Sequence, residues 1–190
     1  NLDFSSKTKA IFLDRDGVIN KENKNKKNLK NFKIFPKINT AIKKININKI
    51  PCFIVSNQSA LSRKKLFIND LLKVITKLDN YLSSKRAYID DFLICPHYNN
   101  LKYKNYNFSF FSNYRKPNPG MITSLAKKYQ IDLKKSFFIG DTDIDMLTGK
   151  SARVKTILIE GPKIKDYKMN IKPNFKVKNL TSAVNLILKK

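Results

Sequence analysis

The chain has 190 residues, 42% of them hydrophobic, and its 39 Lys and Arg residues against 14 Asp and Glu residues give a formal net charge of +25. This length predicts one domain, residues 1–190, and the apolar content excludes a wholly disordered chain or a small disulfide-stapled one. No apolar run approaches the roughly 18 residues that span a bilayer, and the N-terminus has no apolar signal core, so we expect a cytoplasmic protein without a membrane partner.

Strand-like and helix-like segments alternate along the chain. Short apolar runs predict five buried strands, at 10–13, 51–55, 91–95, 136–139 and 156–159. Apolar residues at helical spacing predict helices near 38–45, 66–82, 121–129 and 180–188. In the second helix the expected apolar stripe consists of Leu71, Leu72, Ile75, Leu78 and Leu82. The alternation predicts an α/β fold with a Rossmann-like parallel sheet in three layers, and irregular stretches near 20–35 and 96–114 are expected to be loop insertions.

The positive charge permits two interpretations. It consists of 34 Lys and only five Arg residues, and Lys, Asn and Ile, which A/T-rich codons encode, make up 78 of the 190 residues. Either a drift in base composition has scattered lysines over a solvated surface, or the charge serves a polyanionic partner such as nucleic acid. Arginine, which reads base edges, is scarce, and no basic stretch is interleaved with aromatic residues. We therefore expect no nucleic-acid partner.

The few acidic residues are concentrated after predicted strands. Five of the 12 Asp residues fall in two short segments, Asp14-Arg15-Asp16 and Asp141-Thr142-Asp143-Ile144-Asp145. A third polar segment, Ser56-Asn57-Gln58-Ser59, follows the predicted strand 51–55. Because ligands bind beyond the carboxyl ends of strands in parallel sheets, these three segments are expected to meet at one edge of the sheet.

Two carboxylates on a tight turn at a strand end suit phosphoryl chemistry. In Asp14-Arg15-Asp16-Gly17 the first carboxylate would act as the nucleophile, and the second would transfer a proton. Asp141 would complete an oxygen cage for Mg²⁺, while Lys116 and the Ser56 hydroxyl would bind phosphoryl oxygens. A lone D-x-D-G segment is also typical of a turn or a calcium-like loop, but its combination with the other segments favours phosphoryl transfer.

Four segments resemble the motifs of the haloacid dehalogenase superfamily of phosphatases: 11–20, Ser56-Asn57-Gln58-Ser59, Arg115-Lys116-Pro117 and 140–146. Within this superfamily the chain is most similar to the D-glycero-D-manno-heptose 1,7-bisphosphate phosphatases, and next to the histidinol-phosphate phosphatases. The resemblance covers nearly the whole chain, including Cys95-Pro96-His97 and Pro119-Gly120-Met121. It implies a haloacid dehalogenase-like fold with a minimal cap or none, and Mg²⁺ as cofactor.

The resemblance also implies a role for each matching residue. Asp14 would attack phosphorus and become a phospho-aspartate, and Asp16 would protonate the leaving oxygen and then activate water. Mg²⁺ would be held by Asp14, the backbone carbonyl of Asp16 and Asp141, with Asp145 as a positioning residue. The phosphoryl oxygens would be held by Ser56 and Lys116, and the substrate would contact Asn57, Gln58, Ser59, Arg115 and Glu22.

The chain departs from this family at a structural zinc site. The family places C-x-H, and then C-x-C, before the lysine motif. Cys95 and His97 match the first pair, but Ser112 and Tyr114 occupy the second. Structural zinc requires four nitrogen or sulfur ligands, so we expect no stable zinc and interpret Cys95 and His97 as a remnant of the site. Cys52 is interpreted as a core residue, and two cysteines without an obvious pairing fit a reducing compartment.

The loops expected to recognise the sugar depart from the family as well. An acid-His-Gly-Tyr segment is replaced by Glu22-Asn23-Lys24-Asn25, in which only the acid remains, and Thr142 replaces a lysine. Five aromatic residues of the second insertion are expected to form a hydrophobic plug rather than a base-stacking platform: Tyr103, Tyr106, Phe108, Phe110 and Phe111. The catalytic residues therefore match the family better than the specificity residues do.

The expected function is Mg²⁺-dependent hydrolysis of the 7-phosphate of D-glycero-beta-D-manno-heptose 1,7-bisphosphate to heptose 1-phosphate, in the pathway to ADP-heptose and lipopolysaccharide core. The alternatives are a phosphatase for histidinol phosphate or another small phosphomonoester, a nucleic-acid-associated phosphatase or binder, and an enzyme whose specificity has decayed. We expect a monomer whose partner is a small phosphorylated sugar.

Overall fold

The computed structural model describes residues 8–22, 32–98, 113–160 and 171–189. These residues form a six-stranded parallel sheet with the strand order β3-β2-β1-β4-β5-β6, which confirms the predicted α/β class. The strands are β1 (Ile11–Leu13), β2 (Cys52–Asn57), β3 (Asp91–Cys95), β4 (Phe137–Gly140), β5 (Lys155–Ile159) and β6 (Phe175–Val177). The helices are α1 (Ile38–Ile47), α2 (Ile68–Ser83), α3 (Gly120–Lys128), α4 (Asp143–Ser151) and α5 (Leu180–Leu188), with a 3-10 turn at Leu133–Lys135.

The central strand β1 supplies side chains to two buried cores. Ile11 and Leu13 lie in one cluster with buried residues of α1, α2 and α5, whereas Phe12 lies in a second cluster with residues of α3. Successive side chains of a strand point to opposite faces, so a short run of apolar residues is buried on both sides. The sheet therefore has helices on both faces, as the three-layer prediction requires.

The helical stripes follow the 3.6-residue period of the helix. In α1 the predicted residues are all buried: Ile38, Ala41, Ile42 and Ile45. In α2 the buried residues are Leu71, Val74, Leu78 and Leu82. The prediction that Leu72 belongs to this stripe is wrong, since 52% of the residue is exposed. Leu72 is rotated by about 100° from Leu71 around the helix axis, and this rotation carries it out of the core.

The predicted elements omit β6 and α4. The strand β6 has only three residues, none of them fully buried, so its apolar content is too small to signal a strand. The helix α4 begins inside the second acidic segment and buries polar as well as apolar side chains, which hides its amphipathic pattern. A signal for its start was available, because Thr142 and Asp145 have the three-residue spacing of a capping box.

The order in which successive strands join the sheet reverses between β1 and β4, although all strands are parallel. These two strands are neighbours, with Leu13 paired to Ile139. The strands β2 and β3 lie on the β1 side of this pair, and β5 and β6 lie on the β4 side. The loops beyond such neighbouring strands diverge and leave a crevice in which ligands bind. Asp14 and Asp141 directly follow β1 and β4. The fold therefore places both acidic segments at this crevice.

The central parts of the two predicted insertions, residues 23–31 and 99–112, lie outside the described residues, as do the five aromatic residues of the expected plug. The minimal cap and the single-domain organisation with these insertions therefore stay predictions. Among the helices of the described residues, none has both the length and the apolar composition that a membrane span requires.

Candidate active site

Three buried charged side chains form the centre of the site. The ammonium group of Lys116 lies 2.8 Å from Asp14 Oδ1 and 2.6 Å from Asp145 Oδ1. Asp14 follows β1, Lys116 lies in the loop before α3, and Asp145 lies in the first turn of α4. All three residues are buried, so their attraction is weakly screened by solvent. The fold thus joins three segments that are distant in the sequence.

The protonation of this cluster follows from burial and pairing. Burial raises the pKa of Asp14 to about 7, although the neighbouring Lys116 opposes the rise. For Lys116, burial acts to lower the pKa, but the attraction of Asp14 and Asp145 outweighs burial and the net shift is upward. The lysine is therefore charged at neutral pH, where Asp14 in the metal-free protein is close to its midpoint of titration.

Asp145 uses both of its carboxylate oxygens within the protein. Oδ1 accepts a hydrogen bond from Lys116 Nζ, and Oδ2 accepts from the backbone nitrogen and the hydroxyl of Thr142 at 3.1 and 2.6 Å. Asp145 N donates in turn to the Thr142 hydroxyl, which completes a capping box at the start of α4. Gly140 permits the close approach, because a Cβ there would collide with the Asp145 side chain. These contacts suit Asp145 to position Lys116.

The neighbouring carboxylates fit a hard divalent cation. Ligand oxygens of Asp14, Asp141 and Asp145 lie within 4.8 Å of one another. Because both oxygens of Asp145 already accept hydrogen bonds, Asp14 and Asp141 are the better ligands. Gly17 leaves the space beside Asp141 open, since a Cβ at this position would collide with the Asp141 carboxylate. Mg²⁺ takes one or two protein carboxylates in such sites, so the residues present fit this ion.

The raised pKa of Asp14 predicts that Mg²⁺ affinity depends on pH. Below pH 7, Asp14 of the metal-free protein carries a proton that the cation must displace, whereas above this value the carboxylate is already ionised. The affinity should therefore rise about tenfold per pH unit up to about pH 7 and then level off. Calorimetric titration with Mg²⁺ at about pH 6, 7 and 8 measures this. Affinity that is unchanged over this range would contradict the prediction, and Asp14→Asn should bind Mg²⁺ weakly without the same pH dependence.

Asp16 lies in a different environment from Asp14. Its Oδ2 accepts hydrogen bonds from Arg15 at 2.7 Å and from Gln58 Nε2 at 2.9 Å, and its Oδ1 accepts one from Asn20 at 2.8 Å. Asp14 is therefore paired with a lysine, whereas Asp16 is held by a guanidinium and two amides. Sequence reasoning missed the contributions of Arg15 and Asn20, although both residues stand within the first motif.

The segment after β2 holds other residues of the site in place. The Asn57 side chain makes two hydrogen bonds to the backbone of Lys116. Its Nδ2 donates to the Lys116 carbonyl, and its Oδ1 accepts from the Lys116 N–H, both at 3.1 Å. Gln58 Nε2 donates to Asp16 Oδ2 and to Ser56 Oγ, each at 2.9 Å. We predicted that Asn57 and Gln58 bind substrate. Their side-chain amides also hold protein groups in place, and the predicted substrate contacts of the two residues stay predictions.

Two arginines pack on one tyrosine beside this segment. Arg63 donates to Ser59 O and Oγ at 3.3 Å each, and its guanidinium lies 4.8 Å from the centroid of the Tyr98 ring. Arg115 donates to the His97 carbonyl at 2.7 Å, and its guanidinium lies 5.7 Å from the same centroid. The predicted residues Ser59 and Arg115 are thus brought together. Sequence reasoning missed Arg63, although it is one of only five arginines.

The predicted remnant of a zinc site forms a local contact. Cys95 Sγ lies 3.7 Å from His97 Nδ1. Tyr114 directs its hydroxyl to Ser124 Oγ at 2.9 Å, and Ser112 lies outside the described residues. Cys52 is a buried free cysteine at the start of β2, and burial raises the pKa of its thiol, as fits a core residue.

A cleft of about 660 Å³ opens beside the carboxylates. Gly17 and Asp141 form part of its lining, together with the predicted substrate residue Glu22 and three lysines, Lys21, Lys37 and Lys178. Much of the remaining wall is apolar, from Val18, Phe35, Ile38, Ile159 and Leu180. The volume lies within the range of small-molecule sites. The cleft therefore provides room for a leaving group next to Asp141.

Comparison with known proteins identifies the family of this site. A family model described as polynucleotide kinase 3 phosphatase matches residues 9–181, a range that includes the residues of the site. The chain belongs to this phosphatase family. It has the haloacid dehalogenase-type fold that the four motifs indicated. A solved HAD-like phosphatase from Mesorhizobium loti superposes on the chain with a TM-score of 0.79 and 26% sequence identity, and the match covers 95% of this chain and 88% of the Mesorhizobium loti chain.

Curated relatives of the phosphatase are named for heptose bisphosphates. The D-glycero-beta-D-manno-heptose-1,7-bisphosphate 7-phosphatase of Rhodopseudomonas palustris is 34% identical over 155 residues, covering 82% of this chain and 85% of the relative. A relative from Photorhabdus laumondii, whose name specifies the alpha anomer of the same bisphosphate, is 34% identical over 149 residues. This match covers 78% of this chain and 80% of the relative. The D,D-heptose 1,7-bisphosphate phosphatase of B. bronchiseptica, solved with magnesium and phosphate, shares the fold with a TM-score of 0.84, 24% identity and coverage of 96% of this chain and 99% of its own.

Proposed function

We propose that the phosphatase hydrolyses the 7-phosphate of D-glycero-beta-D-manno-heptose 1,7-bisphosphate to heptose 1-phosphate, a step toward ADP-heptose and lipopolysaccharide core. The observation that carries the chemistry is that two carboxylates on one turn lie in different environments. Asp14 is paired with Lys116, whereas Asp16 accepts hydrogen bonds from guanidinium and amide donors. The substrate assignment follows the names of the relatives, which match this chain over most of their length.

Asp14 acts as the nucleophile. Its carboxylate attacks the phosphorus of the 7-phosphate, the bond from phosphorus to the sugar oxygen breaks, and Asp14 becomes a phospho-aspartate. Lys116, at 2.8 Å from Asp14 Oδ1, neutralises charge on the transferring oxygens, and the Ser56 hydroxyl donates a hydrogen bond to them. Mg²⁺, when held by Asp14, Asp141 and the Asp16 carbonyl, would supply further charge neutralisation at the phosphoryl group.

Asp16 transfers the protons. It gives a proton to the sugar oxygen as that oxygen leaves, and then takes one from the water that attacks the phospho-aspartate, which regenerates Asp14 and releases phosphate. Three hydrogen bonds from Arg15, Asn20 and Gln58 hold the Asp16 carboxylate in a fixed orientation. Because Lys116 is paired with Asp14 and Asp145, Asp16 does not compete for the lysine.

A phosphorylated nucleic acid is the second candidate substrate. The description of the family model and the net charge of +25 both favour it. The cleft beside Asp141 has a small-molecule volume, and the curated relatives are named for a sugar bisphosphate, so the sugar is the preferred substrate. The active unit is proposed to be a monomer of one domain.

Phosphate release in the presence of Mg²⁺ tests the proposal with four esters: the beta and alpha heptose bisphosphates, histidinol phosphate and an oligonucleotide with a 3′-phosphate. We expect the highest kcat/KM for the beta bisphosphate, at least about tenfold above histidinol phosphate. Faster release from histidinol phosphate or the oligonucleotide would overturn the substrate assignment but would leave the proposed phosphatase mechanism intact. No release from any ester by the folded protein would overturn both the substrate assignment and the phosphatase mechanism.

A further inference from the structure

The cleft beside Asp141 has an apolar wall. Five side chains form this wall: Val18, Phe35, Ile38, Ile159 and Leu180. A sugar carries hydroxyl groups around most of its ring, and a hydroxyl that leaves water for an apolar surface loses hydrogen bonds without replacement. An apolar group gains free energy when it moves to the same surface. The wall therefore favours a substrate whose alcohol carries an apolar group.

The apolar wall is ordered before any ligand binds, because the protein core lies behind it. Phe35 is half-buried against the core cluster of α1, α2 and α5, and its backbone nitrogen donates to the Ile19 carbonyl at 2.9 Å. The other four side chains belong to this cluster and are less than a tenth exposed: Val18, Ile38, Ile159 and Leu180. A ligand that binds a rigid wall orders few protein side chains, so little of its binding free energy is lost.

The cleft adjoins the groups that carry out the reaction. Gly17, which lines the cleft, directly follows Asp16, the residue proposed to protonate the leaving oxygen. Asp141 lies against Gly17, since a Cβ at this glycine would collide with the Asp141 carboxylate. Val18, the next residue of the turn, already belongs to the apolar wall. An alcohol whose oxygen lies at Asp16 therefore reaches the wall within a few bond lengths.

The charged residues of the cleft do not call for a second anionic group on such a substrate. Three lysines and two glutamates line the cleft, and all five are exposed to solvent: Lys21, Lys37, Lys178, Glu22 and Glu160. Opposite charges in solvent offset one another and are screened by salt. A neutral apolar group is therefore compatible with the cleft.

We propose that the enzyme also hydrolyses phosphate monoesters of primary alcohols that carry an apolar ring, and that the apolar wall binds this ring. The chemical steps are those proposed above, on which this inference rests. Asp14 attacks phosphorus, the bond from phosphorus to the alcohol oxygen breaks, and Asp16 gives that oxygen a proton. Water then hydrolyses the phospho-aspartate and releases phosphate.

Two esters that differ only in the ring test this inference, 2-phenylethyl phosphate and ethyl phosphate, measured with Mg²⁺ beside heptose 1,7-bisphosphate. Both leaving groups are primary alkoxides, so a difference between the esters reports binding of the ring. We expect kcat/KM of the wild type to be about 10- to 100-fold higher for 2-phenylethyl phosphate, the effect of burying one aromatic ring.

Two variants locate the ring in the cleft. Phe35→Ser removes an aromatic side chain from the wall and should lower the ratio of the two kcat/KM values at least about fivefold. Thr181→Phe fills part of the cleft from a half-buried position of its lining and should lower the ratio similarly. This second variant removes no core side chain, so it tests the inference even where Phe35→Ser does not fold.

Phe92→Ser is the matched control. Phe92 is also a half-buried phenylalanine that packs against the core cluster of α1, α2 and α5, but it lies in β3, at the edge of the sheet opposite β6. Its loss should lower stability and leave the ratio within about twofold of wild type. The same fall in the ratio as in Phe35→Ser would show that the core acts indirectly, and would overturn the role of the wall.

Equal kcat/KM for the two esters in the wild type would overturn the inference, while release of phosphate from the heptose bisphosphate would keep the proposed function. A ratio that neither Phe35→Ser nor Thr181→Phe changes would overturn the assignment of the ring to the cleft. No release from any of the three esters by the folded protein would overturn the proposed function itself.

Discussion

Asp14→Asn should lower kcat for phosphate release by at least about 10⁴-fold, the scale of loss when a covalent nucleophile is removed. An amide has the shape of the carboxylate but cannot attack phosphorus. The fold should tolerate the change, because Lys116 keeps its partner Asp145 at 2.6 Å and a buried carboxylate with an elevated pKa is removed. We expect the free energy of unfolding without Mg²⁺ to fall by no more than about 1 kcal/mol, or to rise.

Phosphate release at saturating substrate and urea denaturation measure these two effects. Asp143→Asn is the matched control, since it makes the same chemical change two residues after Asp141, and its kcat should stay within about threefold of wild type. Acid quenching during turnover of a labelled 7-phosphate should leave label on the wild-type protein and none on Asp14→Asn. A variant that keeps more than about 1% of the activity would place the nucleophile elsewhere.

Lys116→Met should lower both activity and stability. Without the ammonium group, Asp14 and Asp145 face each other in a buried site, and breaking a buried ion pair in this way costs about 3–5 kcal/mol. Loss of the lysine also removes an effect that lowers the pKa of Asp14, so the folded state of the variant binds more protons than the unfolded state. Its stability should therefore fall as the pH rises, and the defect should be larger at about pH 8 than at about pH 6.

Urea denaturation without Mg²⁺ at both pH values tests this. Adding Asp145→Asn to Lys116→Met should restore most of the stability and none of the activity, because it removes the second buried charge. Lys127→Met, an exposed lysine of α3, should change stability by less than about 0.5 kcal/mol. Stability of Lys116→Met equal to wild type at the higher pH would show that the two carboxylates do not depend on the lysine.

The location of the site was predictable from the sequence because strand ends carry strong signals. Apolar runs that end in Asp14 and near Asp141 specify both the parallel sheet and the edge where its polar residues gather. The short strand β6 was not predictable, since three partly exposed residues bury too little apolar surface to stand out. The burial of Val74 in place of Leu72 was decided by the rotation of α2 against its neighbours, which a list of apolar residues does not contain.

The roles of individual polar residues were harder to predict than their location. Asn57 and Gln58 stand at the end of β2, where an amide can bind a ligand, a neighbouring loop or both, and the sequence does not show which protein groups pack against it. In this protein the Lys116 backbone lies within 3.1 Å of Asn57, and Asp16 lies within 2.9 Å of Gln58, so both amides hold protein groups. In the sequence Arg63 lies outside the motif that ends at Ser59, and its position beside Tyr98 arises because two separate loops meet there.

The position of β1 in the middle of the sheet has a consequence for how this enzyme can evolve. Its backbone is bonded on one side to β2 and on the other to β4, so the nucleophile is carried by a strand that loop changes barely disturb. Glu22, Arg63 and Arg115 lie in loops beyond the strands, where substitutions are tolerated more readily. Descendants of this sequence can therefore acquire new phosphate esters as substrates by mutation of these loops, while the hydrolytic step is inherited without change.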